Sequence, residues 1–221
     1  MPEALTLHLH ELGRVEEGAH AMRARPDLAM AIAAICADWS MLEQDLATLF
    51  TRIVEGRQGA ALAVYETLKT SSAQRECLKA IADAVLPAER AQGLRPVLRA
   101  VEVAGTHRNR IAHGVWAAAT TRPDSLLLWD GRERRRKTFS ETAQMADLNA
   151  AKAMVLRGGM SHAEYDRVRD AFYAEAVPPV CFIEYRLPDF DEALSAISTA
   201  GRGVQEFDAT LGPVGWPEPS F

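Results

Sequence analysis

Cysteine is scarce and scattered. Cys36, Cys77 and Cys181 lie far apart and form no CxxC pair. An odd count at such spacing excludes a disulfide framework and fits reduced thiols in a cytosol. Long apolar runs are also missing. The most apolar stretch, LAMAIAAICA at 28–37, is closed by Asp38, well short of the roughly 20 residues a bilayer span needs. The N-terminal MPEALTLHLHELGRVEEG carries acids early and has no apolar core, so a signal peptide is not expected. A soluble cytoplasmic protein with no membrane partner is the expectation. Positive charge is not in excess either. The net charge is −5, so no global field draws in nucleic acid, and any such site must be a local patch. There is no P-loop, no GxGxxG, no GxSxG and no HExxH. No cofactor and no metal are expected. His8 and His10, in LHLHE, could chelate a metal only with ligands brought from far away.

What is present is ordinary globular material. The chain has 221 residues, 48% hydrophobic and 25% charged, enough for one domain with a real core. Four helices are expected in the first half. The first spans about Asp27–Val54, with Asp27 as cap and Gly56 after its end. Trp39, Leu42, Leu46, Leu49, Phe50 and Ile53 recur on it at helical spacing as one apolar stripe. The second runs about Gly59–Lys69. The third runs about Ser72–Leu86, capped by Ser71 or Ser72 and stopped by Pro87. The fourth runs from about Ala88 to His113. Pro96 predicts a kink or break in it, because proline costs about 3 kcal/mol in a helix interior. Gly114 then suits a left-handed residue beyond the helix end.

The periodicity changes after Gly114. VWAAATT, RPDS and LLLWD read as strand, turn and strand, with a third short strand at Lys137–Phe139. Residues 140–157 read as a helix ended by LRGG. Ser161 and Glu164 form a capping box ahead of a helix to about Ala174. CFIEYRL at 181–187 reads as a strand. Asp189 with Glu192 opens a last helix to about Leu211, burying Phe190, Leu194, Ile197, Val204 and Phe207. The expected fold is mainly α, a helical bundle with a small β-hairpin or sheet and a helical insertion after the fourth helix. The expected layout is a single domain over 1–221. It has an N-terminal extension at 1–26, a bundle core at 27–114 and a small sheet at 115–187 with an insertion at about 140–180. A final helix at 188–211 and a tail at 212–221 complete it.

The chemistry concentrates in THRNRIAHGVW, residues 106–116. On a helix, Asn109 and His113 stack on one face, four residues apart. Arg108 lies about 140° round from His113, within reach of a long guanidinium. The three could converge on one anionic group. Arginine binds phosphate oxygens with a planar fork, and histidine exchanges protons near neutral pH. Asparagine can fix the imidazole tautomer or hold a phosphate oxygen. His113 falls in the last helical turn, where the macrodipole favours a cation and opposes phosphate. The plain alternative is a polar helix end facing solvent.

RNRIAH, with arginine, asparagine, three residues and histidine, resembles the signature of the HEPN superfamily. Gly114 and Trp116 fit a common continuation, and DWSMLEQDLATLF at 38–50 is similar to the first long helix of many members. The resemblance covers about residues 27–116, with the final helix as a further match. It implies an up-and-down helical bundle that pairs as a homodimer, with both motifs facing a shared cleft. It also implies a metal-independent endoribonuclease, often a toxin in toxin–antitoxin or phage-defence systems. Arg108, Asn109 and His113 would be its catalytic residues, RNA its substrate, and an antitoxin or regulatory partner its control. Some members are inactive scaffolds, so a non-catalytic dimerising or nucleotide- or RNA-binding module is the alternative.

Other residues gain or lose interest beside this motif. Glu43, one turn after Trp39 at the border of the apolar stripe, is a surface acid or a partner orienting Arg108 or Arg110. Arg110 could contact phosphate or a partner chain, and His107 is peripheral. RERRRK at 132–137 places Arg132, Arg134, Arg135, Arg136 and Lys137 together, either as a solvated loop or as a contact to the RNA backbone. Trp116 and Trp129 are expected to pack the sheet.

Overall fold

The computed structural model describes residues 2–7, 9–54, 58–129, 149–175 and 180–212. It is mainly helical with a small antiparallel sheet. It divides into two compact units, residues 1–29 with 113–187, and residues 30–112 with 188–221.

The first unit is built on a five-stranded antiparallel sheet in the order β1-β5-β4-β3-β2. The strands are β1 (Glu3–Leu7), β2 (Val15–Glu17), β3 (Val115–Ala119), β4 (Leu126–Trp129) and β5 (Val180–Tyr185). Three of them, β3, β4 and β5, fall on the apolar runs that read as strands in the sequence. The two at residues 3–17 do not, because that segment was expected only as an extension. They are edge strands, and half-exposed edges carry a weak apolar pattern. The register sets Trp129 opposite Phe182 and Leu127 opposite Glu184. One face buries Leu12, Ala117, Ala119, Leu127, Trp129 and Phe182 as a core. Trp116 stands on the other face, edge-on to Tyr185 with ring centroids 5.1 Å apart. Both tryptophans therefore pack the sheet, as their strand positions require.

A short helix, α1 (Ala19–Ala24), follows β2. Gly13 takes φ 66° beside Thr120, and a Cβ there would sit 2.4 Å from the threonine hydroxyl oxygen. Two more helices lie in this unit: α6 at 149–156 and α7 (His162–Glu175). The chain turns between them at Gly158, with φ 73°. The Ser161 capping box forms in full. Ser161 donates from its backbone N–H to Glu164 Oε2 at 2.9 Å, and Glu164 N–H donates back to Ser161 Oγ at 3.2 Å.

The second unit is a helical bundle. It contains α2 (Pro26–Val54) from Met30 onward, α3 (Gln58–Thr67), α4 (Ser71–Val85), α5 (Ala88–His113) up to Ala112, and α8 (Leu187–Thr210) from Pro188. The α2 stripe of Trp39, Leu42, Leu46, Leu49, Phe50 and Ile53 is buried throughout. Each such side chain contributes about 1.5–3 kcal/mol by leaving water. Phe50 stacks on Tyr65 of α3 at 4.8 Å. Arg52 of α2 pairs with Asp208 of α8, and Gln205 donates to Asp45 at 3.0 Å.

Five expectations need correction. Asp27 does not cap α2, which starts at Pro26 and holds Asp27 inside its first turn. Thr70, not Ser71 or Ser72, caps α4. It is extended (φ −128°, ψ 142°) and its Oγ1 accepts from Ala73 N–H at 3.1 Å. Pro96 does not break α5, which runs unbroken from Ala88 to His113. Leu94, Leu98, Val101 and Ala104 bury one continuous face across the proline, and that packing outweighs its local cost. Gly114 is not left-handed; among the described residues positive φ falls on Gly13, Gly18, Gly158 and Gly212. The chain bends at Gly114 before β3 begins at Val115. Finally, α8 starts at Leu187, so Asp189 sits inside its first turn rather than capping it. Its buried face is Phe190, Ala193, Ile197, Ala200, Val204 and Phe207, with Leu194 only half-buried. The expected strand at 137–139, the basic run at 132–137, the first half of the helix at 140–157 and the tail from 213 lie outside the described residues.

Candidate functional site

The motif occupies the last two turns of α5. Val101, Ala104, Gly105 and Ile111 give this stretch its buried face. Thr106 donates its hydroxyl to the Glu102 carbonyl at 3.0 Å. Arg108 is half-buried beside this face, whereas Asn109, Arg110 and His113 are exposed. The Arg108 Cζ lies 5.7 Å from the centroid of the Trp39 ring, inside the range of a cation–π contact. Its Nη1 donates to Asn109 Oδ1 at 3.0 Å. Its Nε is buried and makes no hydrogen bond.

Arg108 and Asn109 are thus joined, and His113 stands apart from them. His113 is the final residue of α5 and follows Asn109 by one turn on the same face. Among the described residues no hydrogen bond reaches its ring. The Asn109 carbonyl, one candidate for fixing the imidazole, is already used by Arg108. Arg110 lies about 200° from Arg108 on the helix and is exposed. His107 is half-buried.

Glu43 forms no ion pair with Arg108 or Arg110, although all three are described. Its field acts instead on Tyr65 of α3. Burial raises the Tyr65 phenol, the Cys77 and Glu43 charges add to that, and Arg75 opposes it. Arg75 in turn lies 3.9 Å from Glu102. The i+4 spacing from Trp39 placed Glu43 on the correct helix, but no ion pair to the motif follows from it.

One polar cluster was not foreseen. In the sheet unit a cleft of about 410 Å³ is lined by Arg122, Asp124, Ser125, Glu184 and Arg186, among others. Glu184 is 4% exposed. It accepts from Ser125 Oγ at 2.7 Å and from Arg122 Nη1 at 3.1 Å on both oxygens. Burial pushes its pKa up, but the bonds from Ser125 and Arg122, with the charges of Arg122 and Arg186, outweigh it and hold the carboxyl below its ordinary value. A carboxylate in the middle of the apolar strand CFIEYRL was the available signal, since a buried acid needs a counter-ion. Its partner sits 62 residues away in the RPDS turn, which no local pattern could name. Among the described residues no three His, Cys, Asp or Glu side chains group as a metal site.

Compared with protein-family models, curated proteins and solved structures, the chain gives no match.

Proposed function

We propose that the end of α5 is an RNA-cleaving site, and that the protein is a metal-independent endoribonuclease completed by a second copy of the chain. One observation carries this reading. Arg108 has no carboxylate partner among the described residues, is tied to Asn109, and precedes an exposed His113 on the same helix end. A guanidinium held but not neutralised keeps its charge for an anion, and its planar fork suits phosphate oxygens. The resemblance of RNRIAH to the HEPN signature supports the same reading, including a role as toxin or defence effector under an antitoxin-like partner.

In the reaction, a ribose 2′-oxygen loses its proton and attacks the adjacent phosphorus. The bond from phosphorus to the 5′-oxygen breaks, and that oxygen takes up a proton. The products are a 2′,3′-cyclic phosphate and a free 5′-hydroxyl. His113 moves the proton, a role worth about 10²–10⁴-fold. Arg108 stabilises charge on the non-bridging oxygens, and Asn109 holds Arg108 in place. The substrate must carry a 2′-hydroxyl, so RNA is cut and DNA is not. Each helix end carries the negative pole of its macrodipole, so a second copy's Arg108 would supply the further positive charge.

Purified protein incubated with single-stranded RNA in EDTA should yield 2′,3′-cyclic phosphate ends. His113→Ala should abolish this while the fold is kept, and undiminished cleavage by that variant would remove His113 from the mechanism. A second reading is a non-catalytic dimerising or RNA-binding module. It is favoured by the lack, among the described residues, of any group fixing the His113 tautomer, since catalytic imidazoles are usually oriented by one. RNA retention without products in the same assay would establish it.

A further inference from the structure

We infer that Trp39 and Gly105 are positioning residues for Arg108. The indole face is the platform that aims the guanidinium, and Gly105 is the clearance that lets the ring lie against α5. The kinetic half of this inference rests on the ribonuclease reading; the geometric half does not.

Gly105 and Arg108 are three residues apart, so they share a face of α5. Trp39 arrives from α2 and is fully buried. A Cβ at position 105 would lie 3.0 Å from Trp39 Cη2 and 3.6 Å from Cζ3. The benzo edge of the indole therefore occupies the space a side chain would need. One turn further on, Arg108 Cζ lies over the same ring. The ring makes no hydrogen bond through its own Nε1, so packing alone fixes its position. That packing is tight, and the position is correspondingly well defined.

The guanidinium is then held at two points. Asn109 accepts from Nη1 on one side. On the other, the negative face of the indole compensates the charge near the buried Nε. No carboxylate takes part among the described residues. This is how a protein can orient an arginine without neutralising it. An acid in place of Trp39 would fix the side chain equally well and would also cancel the charge that an anion must meet. Trp39 touches no reacting atom; it acts through Arg108.

The direct test is the Nε–Hε resonance of Arg108 by nitrogen–proton NMR on the whole chain, with Arg108→Lys identifying the peak. In the unmodified protein this peak should be displaced from the bulk arginine position by the ring current and slow to exchange. Trp39→Leu should return it to the bulk position, and Trp39→Phe should leave it in between. A bulk-like peak in the unmodified protein, or one that Trp39→Leu leaves in place, overturns the platform. Should Trp39→Leu fail to fold, Gly105→Ala serves instead. Alanine is the better helix former, so a peak that moves in that variant reports the displaced ring, and one that stays overturns the clearance role.

The second measurement is turnover on single-stranded RNA, well below each variant's Tm. Trp39→Leu should lower kcat by about 3- to 30-fold, the range of a partly desolvated cation–π contact, and Trp39→Phe should recover most of it. Equal kcat for the Leu and Phe variants overturns the positioning role, because a purely packing role would not tell an aromatic face from an aliphatic one. If the unmodified protein cuts no RNA, the ribonuclease reading falls and the NMR result alone decides the platform.

Discussion

Arg122 in the sheet unit and Arg108 in the helical unit are both half-buried guanidiniums, yet their surroundings differ. Arg122 meets both oxygens of a buried carboxylate, and its own carbonyl accepts from Arg25 at 3.2 Å. Its charge is cancelled and its place in the RPDS turn is fixed. Arg108 meets an indole face and an amide oxygen, and keeps its charge. The first arrangement holds a turn against a strand. The second leaves a guanidinium without a carboxylate partner among the described residues, which is the charge the proposed site would use. The difference lies in the partner and not in the arginine.

The largest effect expected from breaking this contrast is on turnover. Arg108→Ala and His113→Ala should each lower RNA cleavage by about 10²–10⁴-fold. Unfolding midpoints should move little, since among the described residues neither has a buried ion pair to lose. A stability loss as large as that for Arg122 would make Arg108 a structural residue of the same kind. Next comes Arg122→Ala, which leaves Glu184 buried without its main counter-ion. It should cost about 3 kcal/mol in urea unfolding and leave RNA cleavage unchanged.

A smaller effect concerns acid. The Glu184 carboxyl is depressed in the folded protein, so its stabilisation is complete above the ordinary value of 4.5 and is lost as pH falls through the folded value. Stability should therefore drop below about pH 4.5 in the unmodified protein. Glu184→Gln should flatten that drop, and a drop of equal depth in the variant would show that other carboxylates cause it. Smallest are the helix caps. Thr70→Ala and Ser161→Ala should each cost about 1 kcal/mol. The first would report on the helical unit and the second on the sheet unit, measured by local hydrogen exchange.

Much of the helical unit was legible. The α2 stripe repeats at helical spacing over four turns, and periodic burial of that length leaves few alternatives. The Ser161–Glu164 box was equally plain, because both partners lie within one turn. Residues 3–17 were not legible, since short edge strands gain their pairing from β5 and β3 far along the chain. The break allowed for at Pro96 does not occur, for a related reason. Proline's cost is local, whereas the packing of Leu94, Leu98 and Val101 that offsets it is not.

The candidate site divides the same way. The sequence by itself determined that Arg108, Asn109 and His113 share the end of one helix, because helical period fixes neighbours within a turn or two. It could not determine what compensates their charge. That Glu43 would make no ion pair with Arg108 or Arg110, that Arg108 would rest on Trp39, and that Glu184 would find Arg122 depended on side chains distant in the chain. Counter-ions and ring faces act over a few ångströms of space, and only the folded chain brings such residues that close.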